Sequence, residues 1–167
     1  LDLRIKPVDA FLNLFTRKSY HVERFVSDVF RRRLVQTLDS QQFDVVQLET
    51  LFMLPYLDDI RKHSKAIVVL RAHNIELLIW ERIAEQTGFW PKKWYLMHLA
   101  STLKRFELRA LKQVDGIAAI TRKDAFFFKR FAACPVIDIP FGIIPKNYQM
   151  EEGETNWASL FHIGSMN

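Results

Sequence analysis

Residues 67–76, with the sequence IVVLRAHNIE, pass from four apolar residues into a polar cluster. A short apolar run of this kind is typical of a strand buried on both faces of a parallel sheet. Arg71, His73, Asn74 and Glu76 follow at once. Ligands of α/β proteins bind beyond the carboxyl ends of the strands, so polar residues at a strand end are expected there. The segment therefore predicts both a fold class and the position of a site.

The flanking sequence alternates between strand and helix patterns. This alternation predicts an α/β fold with a Rossmann-like parallel sheet that helices flank and cover on both sides. Thr121 with Asp124 three residues later predicts a capped helix start. Strands are expected at residues 43–49, 66–70, 115–120, 135–139 and 159–163, and helices at residues 22–38, 52–63, 75–86, 95–110 and 122–133.

Composition bounds the class of protein. The 167 residues are 49% hydrophobic, which predicts a folded chain with a real core. The net charge of +5 suits anionic partners without identifying one. Cys134 is the only cysteine, which excludes an intrachain disulfide and favours a reducing compartment. The absence of a bilayer-spanning apolar run or a signal segment predicts a cytoplasmic protein that is either soluble or peripheral at the inner face of the membrane.

The two ends of the sequence suggest a fragment of a longer protein. The chain opens on Leu1 and closes on an apolar run that leads into Gly164 and Ser165, where a strand-to-helix loop is expected to begin. We therefore expect one truncated Rossmann-like domain over residues 1–150. Residues 151–167 are then an interdomain linker and the first strand of a second domain.

The residues that follow the predicted strands are expected to converge on one crevice. His73 suits hydrogen bonding to a sugar hydroxyl or phosphate, and acid–base chemistry near neutral pH, although a purely structural histidine is the alternative. Asn74 is expected to cap the next helix and Glu76 to favour its dipole. Other residues expected at this crevice are Glu49, Arg71, Thr121, Gly142, Gly164 and Ser165.

Two further features have competing interpretations. Glu107 lies beside the apolar stripe of its helix, and a partly buried carboxylate needs a partner. We expect an ion pair with Arg71 in preference to a catalytic role for Glu107. The segment GFWPKKWYLMH at residues 88–98 interleaves aromatic residues with Lys92 and Lys93. Such a pattern suits the surface of a membrane, while a loop whose aromatic side chains pack on the domain explains it equally well.

The arrangement of several motifs resembles the amino-terminal domain of retaining glycosyltransferases of family 4, which have the GT-B fold. The resemblance spans residues 43–167, and bacterial enzymes of surface-polysaccharide assembly are the most similar group. GxGxxG, P-loop, HExxH and Gly-x-Ser-x-Gly signatures are all absent from the sequence. The resemblance is carried by FDVVQLETLFMLPY, LRAHNIELLIWERIA, LKRFELRALKQVDGIAAITRKDAFFF, IPFGI and LFHIGSMN.

The resemblance implies an acceptor-side domain that faces a donor-binding domain across a cleft. It implies a nucleotide-sugar co-substrate, a glycan or lipid-linked acceptor, and no cofactor or metal. His73 matches the family's cleft histidine, and Gly164 with Ser165 matches a turn that approaches the diphosphate. Ile144 stands where the family often has aspartate, which removes that contact. Because the donor domain is missing, the chain alone is expected to be inactive.

Two other functions fit the sequence. A nucleotide-sugar 2-epimerase shares the fold, and its acid and base groups are expected to be a set of carboxylates and a histidine, of which His73 is one. A non-enzymatic basic module that binds membranes is suggested by the charge and by residues 88–98. A nucleic-acid partner is not expected, because Arg31, Arg32 and Arg33 fit the solvated face of a helix.

Overall fold

A computed structural model describes residues 18–142 together with Asn13 and Thr16. Over these residues the chain forms one parallel four-stranded sheet in the order β1-β2-β3-β4, with helices in every connection. The predicted strand at residues 159–163 and the domain boundary at residue 150 lie outside the described part. The elements are α1 (Tyr20–Glu23), α2 (Asp28–Ser40), β1 (Val45–Glu49), a 3-10 helix (Leu51–Tyr56), α3 (Leu57–His63), β2 (Ile67–Ala72), α4 (Glu76–Gln86), α5 (Trp90–Ala110), β3 (Gly116–Ala119), α6 (Arg122–Lys129) and β4 (Val136–Asp138).

The predicted α/β, Rossmann-like class is confirmed by this topology. Every neighbouring pair of strands is parallel, and the register sets Glu49 of β1 beside Arg71 of β2. Residues at paired positions of parallel strands share a face of the sheet. The end of β1 and the end of β2 therefore present their side chains to the same space.

Burial of the sheet is uneven between its two faces. Val68, Leu70 and Ala72 of β2 are buried and form the centre of the core. On the other face, Val45 of β1 and Ile67 of β2 are about half exposed. Within the described residues, helices flank the sheet, but burial alternates along β1 and β2, so one face of these two strands is less covered than the other.

The single helix predicted over residues 22–38 is in fact two helices. Ser27 has an extended backbone and its hydroxyl accepts a hydrogen bond of 3.3 Å from the amide of Phe30, which starts α2. The new helix has a different phase, so Val29 is 70% exposed although the apolar period placed it on the buried stripe. The capping preference of serine outweighs the continuity of that stripe.

Tyr56 holds the break between α1 and α2 together. Its hydroxyl accepts a hydrogen bond of 2.7 Å from the amide of Ser27 and donates one of 2.9 Å to the carbonyl of Phe25. The side chain is 1% exposed, so no water replaces these bonds when the hydroxyl is lost. The 3-10 helix is thereby tied to the segment that precedes α2.

We expect Tyr56→Phe to lower the free energy of unfolding by about 2 kcal/mol, because it leaves a partly buried amide and a partly buried carbonyl without partners. Urea denaturation measures the effect. Tyr95→Phe is the matched control, because the buried hydroxyl of Tyr95 bonds to nothing in the described part of the chain, so its removal is expected to be neutral or stabilising. Equal losses in the two variants would contradict the assigned role.

Asp115 fastens the amino-terminal edge of the sheet, opposite the predicted site. Its carboxylate accepts two hydrogen bonds from Arg61, of 2.8 and 2.9 Å, and one of 2.7 Å from the amide of Val68. The bonds from Arg61 and then from Val68 hold the pKa of Asp115 below its ordinary value. This contact links α3, β2 and the start of β3 at the amino-terminal edge of the sheet. The polar cluster lies at the opposite, carboxyl-terminal edge.

Candidate active site

Glu49 and His73 form a pair at the carboxyl-terminal edge of the sheet. Nε2 of His73 lies 2.8 Å from Oε2 of Glu49. Glu49 ends β1, and His73 follows β2 by one residue, two positions after Arg71. Alternate residues of a strand share a face, so Arg71 and His73 continue the face on which Glu49 stands. Two of the predicted site residues are therefore in direct contact.

Gln47 completes the surroundings of Glu49 on the same face of β1. Its amide nitrogen donates to Oε1 of Glu49, while His73 engages Oε2. The amide of Gln47, then the bond to His73, and more weakly the charge of Arg71, hold the pKa of Glu49 below its ordinary value. Glu49 is therefore a carboxylate at neutral pH, and Gln47 is a site residue that the sequence analysis did not identify.

The ionised state of Glu49 determines which nitrogen of His73 carries a proton. A carboxylate only accepts hydrogen bonds, so Nε2 of His73 is the donor in this pair. Nδ1 receives no hydrogen bond from any residue in the described part of the chain. When His73 is neutral, Nδ1 accepts a hydrogen bond or a proton, and when the ring is protonated it donates to an anionic oxygen. Glu49 thus presents Nδ1 to a ligand.

Phe141 lies against both Arg71 and His73. The guanidinium of Arg71 stands 5.4 Å from the centroid of its ring, a distance at which cations are attracted to an aromatic face. The imidazole of His73 meets the same ring edge-on, with 5.9 Å between centroids. Phe141 comes from the segment after β4, so three strand ends contribute to the cluster.

Asn74 and Glu76 lie next to the pair, with roles that differ from those predicted. The helix that follows β2 has Ile75 at its N-cap, with no side-chain cap from Asn74, so that prediction is wrong. Asn74 instead lies near the carboxyl group of Glu76. Burial raises the pKa of Glu76, while Asn74 and the charge of His73 act to lower it. His73 therefore interacts with two carboxyl groups.

Glu107 supplies the cap that the sequence assigned to Asn74. Its carboxylate accepts hydrogen bonds of 3.1 Å from the amide of Glu76 and 2.7 Å from the amide of Leu77, the first two residues of α4. The predicted pairing with Arg71 is wrong, because unpaired amides at a helix start satisfy a buried carboxylate equally well. Its structural role supports the helix that carries Glu76.

Thr50, between Glu49 and the 3-10 helix, has a strained backbone. Its φ of 81° and ψ of 158° lie in a region that glycine alone adopts readily. Its amide donates to the carbonyl of Arg71 at 3.1 Å, which joins β1 to β2 at the site. The backbone is therefore strained at Thr50, the residue that follows Glu49.

We expect Thr50→Gly to raise the free energy of unfolding by about 1 kcal/mol, because relief of the strain exceeds the added flexibility of the unfolded chain. Thermal unfolding followed by circular dichroism measures the change. Thr50→Ala is the control, since alanine keeps the Cβ atom and hence the strain. A gain of the same size in Thr50→Ala would show that the backbone conformation is not the cause.

An aromatic pocket of about 300 Å³ adjoins Glu76. His21 lies on Trp80, with 3.7 Å between ring centroids, and Phe25 stacks on Phe52 at 4.5 Å. Burial, followed by the charge of Arg24, lowers the pKa of His21 to about 4. The imidazole is 5% exposed, and its Nε2 has no partner among the described residues. The pocket is therefore lined by aromatic side chains, beside a neutral imidazole whose Nε2 is buried.

The remaining predicted site residues are not part of this contact network. Thr121 caps α6, as predicted, because its hydroxyl accepts a hydrogen bond of 3.0 Å from the amide of Asp124. Gly142 is exposed, and a Cβ atom added there would meet nothing within 4 Å. Gly164 and Ser165 lie outside the described residues. The described site thus rests on Glu49, Arg71, His73 and Glu76.

A larger cavity of about 870 Å³ lies elsewhere, between α1, α2 and α5. It is lined in part by Arg31, Arg105 and Arg109 and includes none of the residues at the strand ends. Within residues 18–142, no group of three or more histidine, cysteine, aspartate or glutamate side chains is arranged to hold a metal ion.

Comparison with known proteins identifies no relative of this chain. No protein-family model matches it, and no curated protein and no solved structure does so. Function must therefore be argued from the site itself.

Proposed function

We propose that the chain is the acceptor-side domain of a retaining glycosyltransferase, in which His73 contacts the donor sugar or its phosphates. The observation that carries the proposal is the Glu49–His73 pair at the carboxyl-terminal edge of a parallel sheet. This is the edge at which α/β domains bind ligands. The order of motifs that resembles family 4 is the second support.

The reaction needs few groups from this domain. The bond between the anomeric carbon and the diphosphate oxygen breaks, the acceptor oxygen bonds to the same face of that carbon, and the acceptor proton leaves with the diphosphate. When the imidazole of His73 is protonated, a hydrogen bond donated by Nδ1 to a phosphate oxygen favours the charge that develops. Arg71 adds a fixed positive charge beside it. Glu49 orients the imidazole.

The aromatic pocket beside Glu76 is the proposed position of the acceptor. Aromatic side chains line this pocket, and their rings suit the apolar face of a sugar ring. The carboxyl group of Glu76 lines the same pocket. Acceptor and donor would then meet between His21 and His73.

A nucleotide-sugar 2-epimerase is the second candidate, and one observation favours it. His73 lies 2.8 Å from Glu49 and interacts electrostatically with Glu76, which makes a set of two carboxyl groups and one imidazole. Such a set suits proton transfer at a carbon next to the anomeric centre. The two functions differ in whether an acceptor is consumed.

One experiment separates the two functions. The full-length polypeptide that contains this chain is incubated with UDP- and GDP-sugars, with and without a bacterial lipid-linked glycan extract, and the anomeric and C2 proton signals are followed by NMR. The proposal expects nucleoside diphosphate release that depends on the acceptor, with retained anomeric configuration in the product. If epimerised nucleotide sugar forms without an acceptor, the 2-epimerase replaces the glycosyltransferase as the function.

The chain of 167 residues, assayed in the same way, is expected to release no nucleoside diphosphate. The donor-binding groups belong to the second domain in this proposal. Transfer by the isolated chain would contradict the two-domain arrangement, and no reaction by the full-length polypeptide with any donor would refute both enzymatic functions.

A further inference from the structure

We propose that the turn between α4 and α5 binds the surface of a membrane rich in anionic lipid. The surface consists of Phe89, Trp90, Trp94 and Met97, here called the aromatic tip. Their side chains are 69%, 76%, 57% and 55% exposed. Because Trp90, Trp94 and Met97 follow at steps of four and three residues, they lie along one side of α5. The tip is thus a continuous apolar stripe open to solvent.

The tip stands at the end of an antiparallel helical hairpin. Lys93 reaches the carbonyl of Glu85, Lys104 pairs with Glu81, and Glu107 caps the start of α4. These three contacts bind α4 and α5 along their length, while residues 87–89 make the connection. The tip therefore lies at the turn of a hairpin whose two helices are held together by these contacts.

The charge around the tip fits an anionic surface. Residues 82–97 carry three basic side chains, Arg82, Lys92 and Lys93, and one acidic side chain, Glu85. Tryptophan beside lysine suits the head-group region of a membrane, because the ring lies at the boundary with the acyl chains and the amine contacts lipid phosphate. None of the helices described between residues 18 and 142 combines the length and apolar composition needed to cross a bilayer. The contact is therefore with one leaflet.

Other occupants fit the tip less well. Lysine is depleted from the centres of protein–protein interfaces, yet Lys93, three residues after Trp90, lies on the same side of α5 as the tryptophans. A symmetric dimer pairs the same patch with itself, so a second copy of the chain would bring the basic residues around the two tips together. The proposal is independent of the glycosyltransferase reading, since no residue of the tip belongs to the Glu49–His73 cluster.

Co-sedimentation with lipid vesicles tests the proposal on the chain of 167 residues. We expect binding to vesicles of phosphatidylcholine and phosphatidylglycerol in equal amounts, and at least about fivefold weaker binding to phosphatidylcholine alone. Trp90→Ala/Trp94→Ala is expected to lower the partition coefficient at least about tenfold, and Lys92→Gln about fivefold. These side chains are exposed, so the melting temperature is expected to stay the same.

The control compares two phenylalanines of equal exposure. Phe89→Ala is expected to weaken binding, whereas Phe126→Ala on α6, whose ring is 70% exposed, is expected to leave it unchanged. The proposal is overturned if the chain binds neither vesicle, if the double tryptophan variant binds as the wild type does, or if Phe126→Ala weakens binding as much as Phe89→Ala. Sedimentation velocity shows whether the chain self-associates. If it does, and if the tip variants abolish the self-association, the tip binds a second copy of the chain and the membrane proposal is overturned.

Discussion

Replacing Glu107 by alanine is expected to lower the free energy of unfolding at neutral pH by about 4 kcal/mol. The carboxylate is 2% exposed and accepts hydrogen bonds from the amides of Glu76 and Leu77. Its removal leaves two buried donors at the start of α4 and a cavity between α4 and α5. Guanidinium denaturation at constant pH measures the loss.

Glu81→Ala is the matched control for this loss. Glu81 also joins the two helices, through a bond of 2.8 Å to Lys104, but its side chain is about one third exposed. An exposed pair of this kind contributes at most about 1 kcal/mol. If the two alanine variants lose the same free energy, the buried cap is not the stabilising contact that its geometry implies.

The same carboxyl group is expected to make stability depend on pH. Burial raises the pKa of Glu107 from 4.5 to about 7, against the opposing effect of its two amide bonds. The folded state therefore binds the proton more tightly than the unfolded state, and stability declines as the pH rises from 4.5 to 7. At ~1.4 kcal/mol per pKa unit the decline is about 3 kcal/mol.

Glu107→Gln tests this dependence without removing the cap. Glutamine keeps an acceptor oxygen for the amides, so its cost is expected to be about 1–2 kcal/mol, less than that of alanine. The stability of this variant should change little between pH 5 and 8, apart from a smaller decline due to Glu76, whose pKa is also raised. An unchanged slope would assign the pH dependence to other groups.

The sequence contained enough information to place β2 and the polar residues behind it. Four apolar residues bounded by polar ones determine a buried strand, and the parallel sheet then determines on which edge His73 lies. The strand runs to Ala72, two residues past the predicted end, because Arg71 pairs in register with Glu49 and Ala118. The pattern of apolar residues alone does not reveal that strand pairing continues through a charged residue.

The capping arrangement could not be predicted in the same way. A buried glutamate needs a partner, but sequence spacing does not say which one, since α4 and α5 bring Glu107 to amides 30 and 31 residues away. The break at Ser27 was different, because serine followed by an aspartate is a local sign of a helix start that the apolar period concealed. His21 had no local sign, since its pocket depends on Trp80, in another helix.

His73→Ala, in the full-length polypeptide, is expected to lower the turnover of sugar transfer at least about a hundredfold while the fold stays intact. The side chain is about one third exposed and makes a single hydrogen bond within the described part of the chain, to Glu49. Its loss should therefore act on the reaction more than on stability. Steady-state kinetics with a saturating donor and thermal unfolding together separate the two effects.

The molecule provides a control of the same geometry. His63 lies 2.8 Å from Asp39, and the exposures of these side chains, 33% and 57%, are close to the 34% and 54% of His73 and Glu49. This pair joins the ends of α2 and α3, whereas His73 lies at the carboxyl-terminal edge of the sheet. His63→Ala is expected to leave turnover unchanged. A comparable loss in both variants would make the effect of His73 a structural one.

Glu49→Gln is expected to lower turnover about tenfold, less than His73→Ala, because Glu49 acts by holding the proton on Nε2 and presenting Nδ1 to the ligand. Two residues that act through one group are not additive. The double variant Glu49→Gln/His73→Ala should therefore be no slower than His73→Ala alone. If the two losses multiply, Glu49 contacts the substrate by itself, and the site acts through two independent groups, as the 2-epimerase candidate requires.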